Sequence, residues 1–282
     1  MLKQRVITAI LMLAVLLPAL FYPSFVPFCA ITLILISAGG WEWGRLNGCG
    51  QPASILLGLC CLLICLVFWS TGLLTQSLPW LWSAAGAGWV LAGAWILRAG
   101  VSAWPHIAKP LRLVAGVLAI CLAWLALAQA RVIGINFLLS VMVLVWVADI
   151  GAYFAGKAFG TQFFKNKLAP SISPGKSWEG VVGGMAGVLL LALGWIAIDR
   201  SSTQHVASLY SILASRYGSF VMLLAVVFLS AMSVVGDLVE SLVKRSAGAK
   251  DSSGLLPGHG GVLDRVDALL PTLPLAMMLA SL

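Results

Sequence analysis

Between Ser241 and Asp267 the chain reads Ser-Leu-Val-Lys-Arg-Ser-Ala-Gly-Ala-Lys-Asp-Ser-Ser-Gly-Leu-Leu-Pro-Gly-His-Gly-Gly-Val-Leu-Asp-Arg-Val-Asp. These residues bring together Lys244, Arg245, Lys250, Asp251, His259, Asp264, Arg265 and Asp267 in a protein whose charged fraction is only 9%. Asp237 and Glu240 lie just upstream, so five of the nine acidic residues fall between 237 and 267. On a continuous helix Asp237, Glu240, Ser241 and Lys244 sit at i, i+3, i+4 and i+7, which places two carboxylates, a hydroxyl and an ammonium on one face. Asp264 and Asp267 share a face in the same way. Mg²⁺ takes hard oxygen donors, commonly one or two carboxylates completed by phosphates and water, so Asp237, Asp264 and Asp267 suit it. Lys244, Arg245, Lys250 and Arg265 suit phosphate oxygens. The chemistry expected is the handling of phosphate esters with a divalent metal. Locally paired charges in a solvated loop would explain any one of these residues, but not eight ionisable groups interleaved with Gly260-Gly261.

Two further segments carry polar groups. Asp149 follows an apolar run and shares a helix face with Tyr153 and Gly156; an acid at the end of a membrane span is costly unless it faces protein, water or a cation. The second segment, Lys165 to Gly184, contains Ser-Pro-Gly-Lys176-Ser177-Trp-Glu179. Gly175-Lys176-Ser177 resembles the end of a phosphate-binding P-loop, but that motif needs glycine at 170, where this chain has Pro170. What remains is a turn feeding a helix that starts near Ser177, with Lys176 at its N-terminal end either as a phosphate cradle or, with the other lysines of the loop, as a positive-inside anchor.

The remaining sequence must position these groups, and its composition says how. The chain has 282 residues, is 61% hydrophobic and has a mean hydropathy of +1.04. A bilayer core needs about 20 apolar residues per helical span. Candidate spans run near 6–22, 25–41, 53–73, 79–97, 113–130, 132–155, 180–198, 219–239 and 266–282, an all-α polytopic protein of about nine spans. The last is the weakest, because it is short and carries Pro271 and Pro274; without it the count is eight, and the segment would be re-entrant or lie at the interface. Lys3 and Arg5 precede the first run without a clean cleavage pattern, which predicts an uncleaved first span.

The net charge of +8 is explained by placement rather than by a nucleic-acid partner. With the N-terminus inside and alternating spans, fourteen of the seventeen Lys and Arg fall on the inner side, leaving Arg131, Arg200 and Arg216 outside. This predicts a cytoplasmic N-terminus, an external C-terminus, and cytoplasmic loops 156–179 and 240–266. Six cysteines lack metal spacing and are read as small apolar packing residues. Glu42 is the one acid of the first 130 residues, and with Arg45 one turn away it is expected to form a local ion pair inside a Trp belt. A single membrane domain, 1–282, is expected, with residues 1–130 of unassigned role and 131–282 the catalytic half.

The segment Ser241–Asp267 resembles the signature of the phosphatidate cytidylyltransferase (CDP-diacylglycerol synthase) family: Ser-x-apolar-Lys-Arg, four residues, Lys-Asp, a short spacer, then His-Gly-Gly-apolar-x-Asp-Arg-apolar-Asp, matched in every defined position. Asp149–Lys157 and Ser173–Gly180 also resemble family segments, with Ser177 where Thr is the more frequent residue. The resemblance implies transfer of a cytidylyl group from CTP to phosphatidate at the inner face of a bacterial inner (plasma) membrane. It also implies Mg²⁺, with K⁺ as a second cation, and allows a homodimer. Asp237, Lys244, Lys250, Asp264 and Asp267 then become catalytic candidates, the three aspartates as metal ligands. Asp149, Lys176, Ser177, Glu179, Ser241, Arg245, Asp251, His259, Gly260, Gly261 and Arg265 become substrate contacts, the His259 turn lying near the leaving pyrophosphate. Three rivals fit less well. A transporter would carry acids through its middle spans, a CDP-alcohol phosphotransferase would show an Asp-Gly-x-x-Ala-Arg start, and a structural subunit would leave 241–267 unexplained.

Overall fold

A computed structural model describes residues 2–201 and 206–282. The described residues form an all-α bundle: α1 (Leu2–Phe21), α2 (Val26–Leu46), α3 (Gln51–Ser70), α4 (Pro79–Ala99), α5 (Lys109–Ile133), α6 (Ile135–Phe159), α7 (Trp178–Ser201), α8 (Leu209–Ser246), α9 (Leu263–Val266) and α10 (Leu269–Ser281). The first eight are each long and apolar enough to cross a membrane. Proline opens several of them: Pro27, Pro52, Pro79 and Pro110 stand in the first turn of α2 to α5. A first-turn amide has no partner inside the helix, so its absence there costs nothing.

The ninth candidate span is shorter than the other eight. Its segment folds as α9 and α10, and α10 has 13 residues, about 20 Å of helix where a bilayer core is about 30 Å thick. Gly236 of α8 lets the chain begin α10 inside the bundle: a side chain there would meet Pro271 at 2.8 Å and the Asp267 carbonyl. From that point Leu269 to Met277 are all buried, packed against α4, α5 and α8. The end of α10 reaches the opposite end of the bundle, where the Ala280 carbonyl accepts a 2.9 Å bond from the Arg216 guanidinium.

α8 is also not one straight helix. Gly218, with φ +82°, breaks it into a short piece before and a long piece after, and the long piece coincides with the span expected to start at 219. α6 and α7 are the most closely packed pair. At Gly184 and Gly180 a Cβ would stand only 2.6 Å from the Ala148 carbonyl and 2.8 Å from that of Ala152. In lipid no hydrophobic drive holds helices together, so small residues that admit close backbone contact do that work. This packing sets Asp149 and Tyr153 of α6 beside the loop that leads into α7.

Candidate active site

The loop between α6 and α7 and the loop between α8 and α9 lie at the same end of the bundle, and a cleft of about 430 Å³ opens there. Asp149, Tyr153, Lys157, Lys176, Ser177 and Asp237 line it. Across it the Lys176 Nζ pairs with Asp237 Oδ2 at 2.6 Å, both side chains about a quarter exposed. The other Asp237 oxygen accepts a 3.2 Å bond from Ser241 Oγ, one helical turn on. Asp149, Tyr153 and Gly156 share this cleft as one face of α6.

Ser177 caps α7: its Oγ accepts from the Gly180 amide at 3.1 Å, one of the orphan donors of a helix start. Its replacement by Ala is expected to cost about 1 kcal/mol of stability, read as a lower thermal midpoint in detergent. Glu179 is buried and serves the preceding loop, accepting from the amides of Phe163 and Phe164 at 3.0 Å each. Lys176 is held from both sides. Its own carbonyl accepts from the Leu168 amide at 3.2 Å, and Lys167 Nζ donates to the Pro174 carbonyl at 2.5 Å.

Behind the cleft lies a buried ionic clamp. Lys244 Nζ sits between Glu240, one turn back on α8, and Asp264 Oδ1 at 2.6 Å. Asp264 Oδ2 accepts three further bonds: from the Gly261 amide at 2.7 Å, the Ser252 amide at 2.9 Å and Ser252 Oγ at 2.9 Å. Burial alone would raise the Asp264 carboxyl, but the Lys244 ammonium and the two amides outweigh it and hold the group below the usual carboxylate value.

The structure therefore places the three aspartates expected to form a metal site in two settings. Asp264 is occupied on both oxygens by Lys244 and the loop. Asp267 lies next to Gly236 at the base of α10 and close enough to Asp237 and Asp149 to feel both charges; its Oδ1 accepts only the neighbouring Ala268 amide, at 2.7 Å. Among the described residues no three acidic, His or Cys side chains form a metal-holding group. The donor chemistry of Asp237 and Asp267 still fits Mg²⁺, because that ion uses one or two carboxylates and completes its shell with phosphate oxygens and water. Asp264 differs in setting: its side chain is only 7% exposed, with Lys244 and three loop bonds on its oxygens, whereas the two contacts of Asp237 lie in a cleft and leave its side chain 28% exposed.

The remaining signature residues shape the loops. Arg245 ties the two together, donating to the Ile172 carbonyl at 3.3 Å and the Ala249 carbonyl at 3.2 Å. The Arg265 guanidinium closes the tight turn onto the His259 carbonyl at 3.0 and 2.5 Å. That turn is narrow because the Leu256 amide bonds the Gly260 carbonyl at 2.8 Å, with Gly258 and Gly260 at positive φ. Lys250 and Asp251 are exposed.

One residue departs from expectation outright. Glu42 does not pair with Arg45, whose guanidinium lies over the Trp41 ring at 4.8 Å. Glu42 is wholly buried and grips the signature loop, accepting from Ser253 Oγ at 2.5 Å and from the amides of Val262 and Leu263 at 2.9 and 2.7 Å. The first half of the chain thus holds part of the site. A lone acid in an otherwise apolar span was the one available signal.

The family model described as "Cytidylyltransferase family" matches residues 3–282. The phosphatidate cytidylyltransferase of Pseudomonas aeruginosa is 40% identical over 97% of this chain and 95% of its own length. That of Haemophilus influenzae is 39% identical, covering 97% and 96%, and that of Brucella suis is 36% identical, covering 95% and 89%. Both halves of the chain, the tightly spaced signature and the bundle that carries it, therefore belong to the cytidylyltransferase family.

Proposed function

We propose that this protein transfers a cytidylyl group from CTP to phosphatidate, giving CDP-diacylglycerol and pyrophosphate, at the cytoplasmic face of a bacterial inner membrane. The relatives in Pseudomonas and Haemophilus carry the name phosphatidate cytidylyltransferase. The observation that carries the reading is the Lys176–Asp237 pair across a cleft at one end of the bundle. Such a cleft offers cations to phosphates and carboxylates to a metal at the depth where a lipid phosphate and a soluble nucleotide meet. With spans alternating from an inner N-terminus, the face that bears it would also carry fourteen of the seventeen Lys and Arg, as the positive-inside rule expects of a cytoplasmic face.

Both substrates are anionic, and their repulsion is the first barrier. Lys176, with Lys157 on the cleft wall, draws the phosphates together, and Lys176 exchanges its contact with Asp237 for a phosphate oxygen. An ionised oxygen of the lipid phosphate then attacks the α-phosphorus of CTP in line. The new oxygen–phosphorus bond forms as the bond from the α-phosphorus to the bridging oxygen breaks, and pyrophosphate leaves with that electron pair. No general base is required, because the attacking oxygen carries no proton. Catalysis is then placement and neutralisation of charge. Mg²⁺, held by Asp237 and Asp267 with K⁺ as a second cation, would supply further neutralisation of phosphate charge. A separate apolar slot of about 290 Å³, lined by residues such as Met12, Leu16, Trp146 and Leu273 together with Arg265 of the signature, suits an acyl chain. Every residue used lies in one chain, so the reading stands for a monomer or a homodimer.

The test is incubation of the purified protein with phosphatidate, Mg²⁺ and either α-labelled CTP or α-labelled ATP. Lipid-bound label from CTP alone is expected. No lipid-bound label, or equal labelling from ATP, would overturn the assignment.

A further inference from the structure

Glu42 belongs to α2, in the part of the chain to which the signature motifs assign nothing, yet it is separated from its partners by 210 or more positions in sequence. Its carboxylate has no cation beside it among the described residues. Backbone amides and hydroxyls take that place: Ser253 Oγ and the Val262 amide at Oε1, the Leu263 amide and Ser252 Oγ at Oε2, the last at 3.2 Å. One carboxylate therefore holds both ends of the loop 252–263. The residue that follows that loop is Asp264, which anchors Lys244.

The two carboxylates also share a group. Ser252 Oγ lies within bonding distance of Glu42 Oε2 and of Asp264 Oδ2, and its single proton serves one of them at a time. Gly261 is part of the same fit, because a side chain there would press into both Ser252 Oγ and a Glu42 oxygen.

We propose that Glu42 is a positioning residue for the transfer centre, acting through the 252–263 loop to hold Asp264 and Lys244 in register with the cleft. This rests on the proposed function for its catalytic readout. Glu42 itself touches no substrate. Glu42→Gln keeps the volume, but it removes the charge and turns an amide group toward donors, so at least one buried N–H or O–H loses its acceptor. Charge-assisted bonds of this kind are the stronger ones, and their loss is expected to lower kcat about ten- to hundredfold.

The experiment compares the parent, Glu42→Gln, Ser252→Ala and the double variant in detergent, by steady-state kinetics and by hydrogen–deuterium exchange. Glu42→Gln is expected to speed exchange in the peptide spanning 252–263, leave α3 unchanged, and lower kcat while both KM values stay within about threefold. The double variant should be no slower than Glu42→Gln alone, because the two residues act through one loop. Parental exchange in 252–263, an unchanged kcat, or losses that multiply in the double variant would each overturn the proposal. If Glu42→Gln does not fold, Gly261→Ala delivers the same disturbance by crowding the carboxylate, with the same expected and overturning results. If the parent itself transfers no cytidylyl group, the functional reading fails on that control, and the exchange measurement still decides whether Glu42 holds the loop.

Discussion

Asp237→Asn is expected to leave a folded protein that forms CDP-diacylglycerol about a hundred- to a thousandfold more slowly than the parent. The change is isosteric, and a side chain 28% exposed in a cleft can lose its charge without leaving a cavity. Asn still accepts from Ser241 Oγ, so the turn of α8 is kept. The carboxylate that faces Lys176 at 2.6 Å disappears, and with it a hard oxygen donor in the cleft. Asp267→Asn should act in the same direction, because Asp267 supports the same region from the base of α10 and its carboxylate is little engaged by protein donors. The measurement is turnover of labelled CTP into lipid at saturating substrate, beside a thermal midpoint that shows each variant folded. Near-parental turnover in both would remove the carboxylates from the chemistry and leave the lysines to account for it alone.

The α8 face was legible in the sequence because helical periodicity is a strong constraint: residues spaced by four did meet, Asp237 with Ser241 and Glu240 with Lys244. The start of α7 was legible for a similar reason, since Ser177 sits where a capping hydroxyl is needed. The shortness of the last helix was signalled by Pro271 and Pro274, but the depth at which it starts was not. Hydropathy continues unbroken to the chain end, but a sliding window cannot see that Gly236 admits the start of α10 into the bundle interior. The role of Asp264 was not legible either. Its spacing from Asp267 put both on one face, yet its oxygens were claimed by Lys244 and by loop amides whose approach depends on how 252–262 folds back. Glu42 was the hardest case. An arginine one turn away offered a local partner, while its true partners are amides and hydroxyls that no sequence pattern marks.

Lys244→Met should produce the largest loss of stability of any single substitution at the site. The ammonium stands between two carboxylates, and the side chains of Glu240, Asp264 and Lys244 are only 3%, 7% and 11% exposed. Methionine replaces most of the stem, so packing is preserved and the effect is electrostatic. Removing one partner of a buried ion pair costs about 3–5 kcal/mol, because it strands the opposite charge away from water. Here Glu240 is left with no partner, and Asp264, which keeps its loop bonds, repels it. Asp264, depressed in the folded protein, contributes stability that is present in full above its unfolded value of about 4 and is lost only as pH falls through the folded value. The parent should therefore keep the clamp throughout the neutral range, and Lys244→Met should lose it there. Pairing Lys244→Met with Glu240→Gln removes the stranded charge and should recover part of the thermal midpoint without restoring turnover, since no ammonium remains to hold Asp264 beside the cleft. A single variant that unfolds at the parental midpoint would show that α8 and α9 are joined by apolar packing alone. A double variant that regains turnover would show that the ammonium serves the fold and not the transfer.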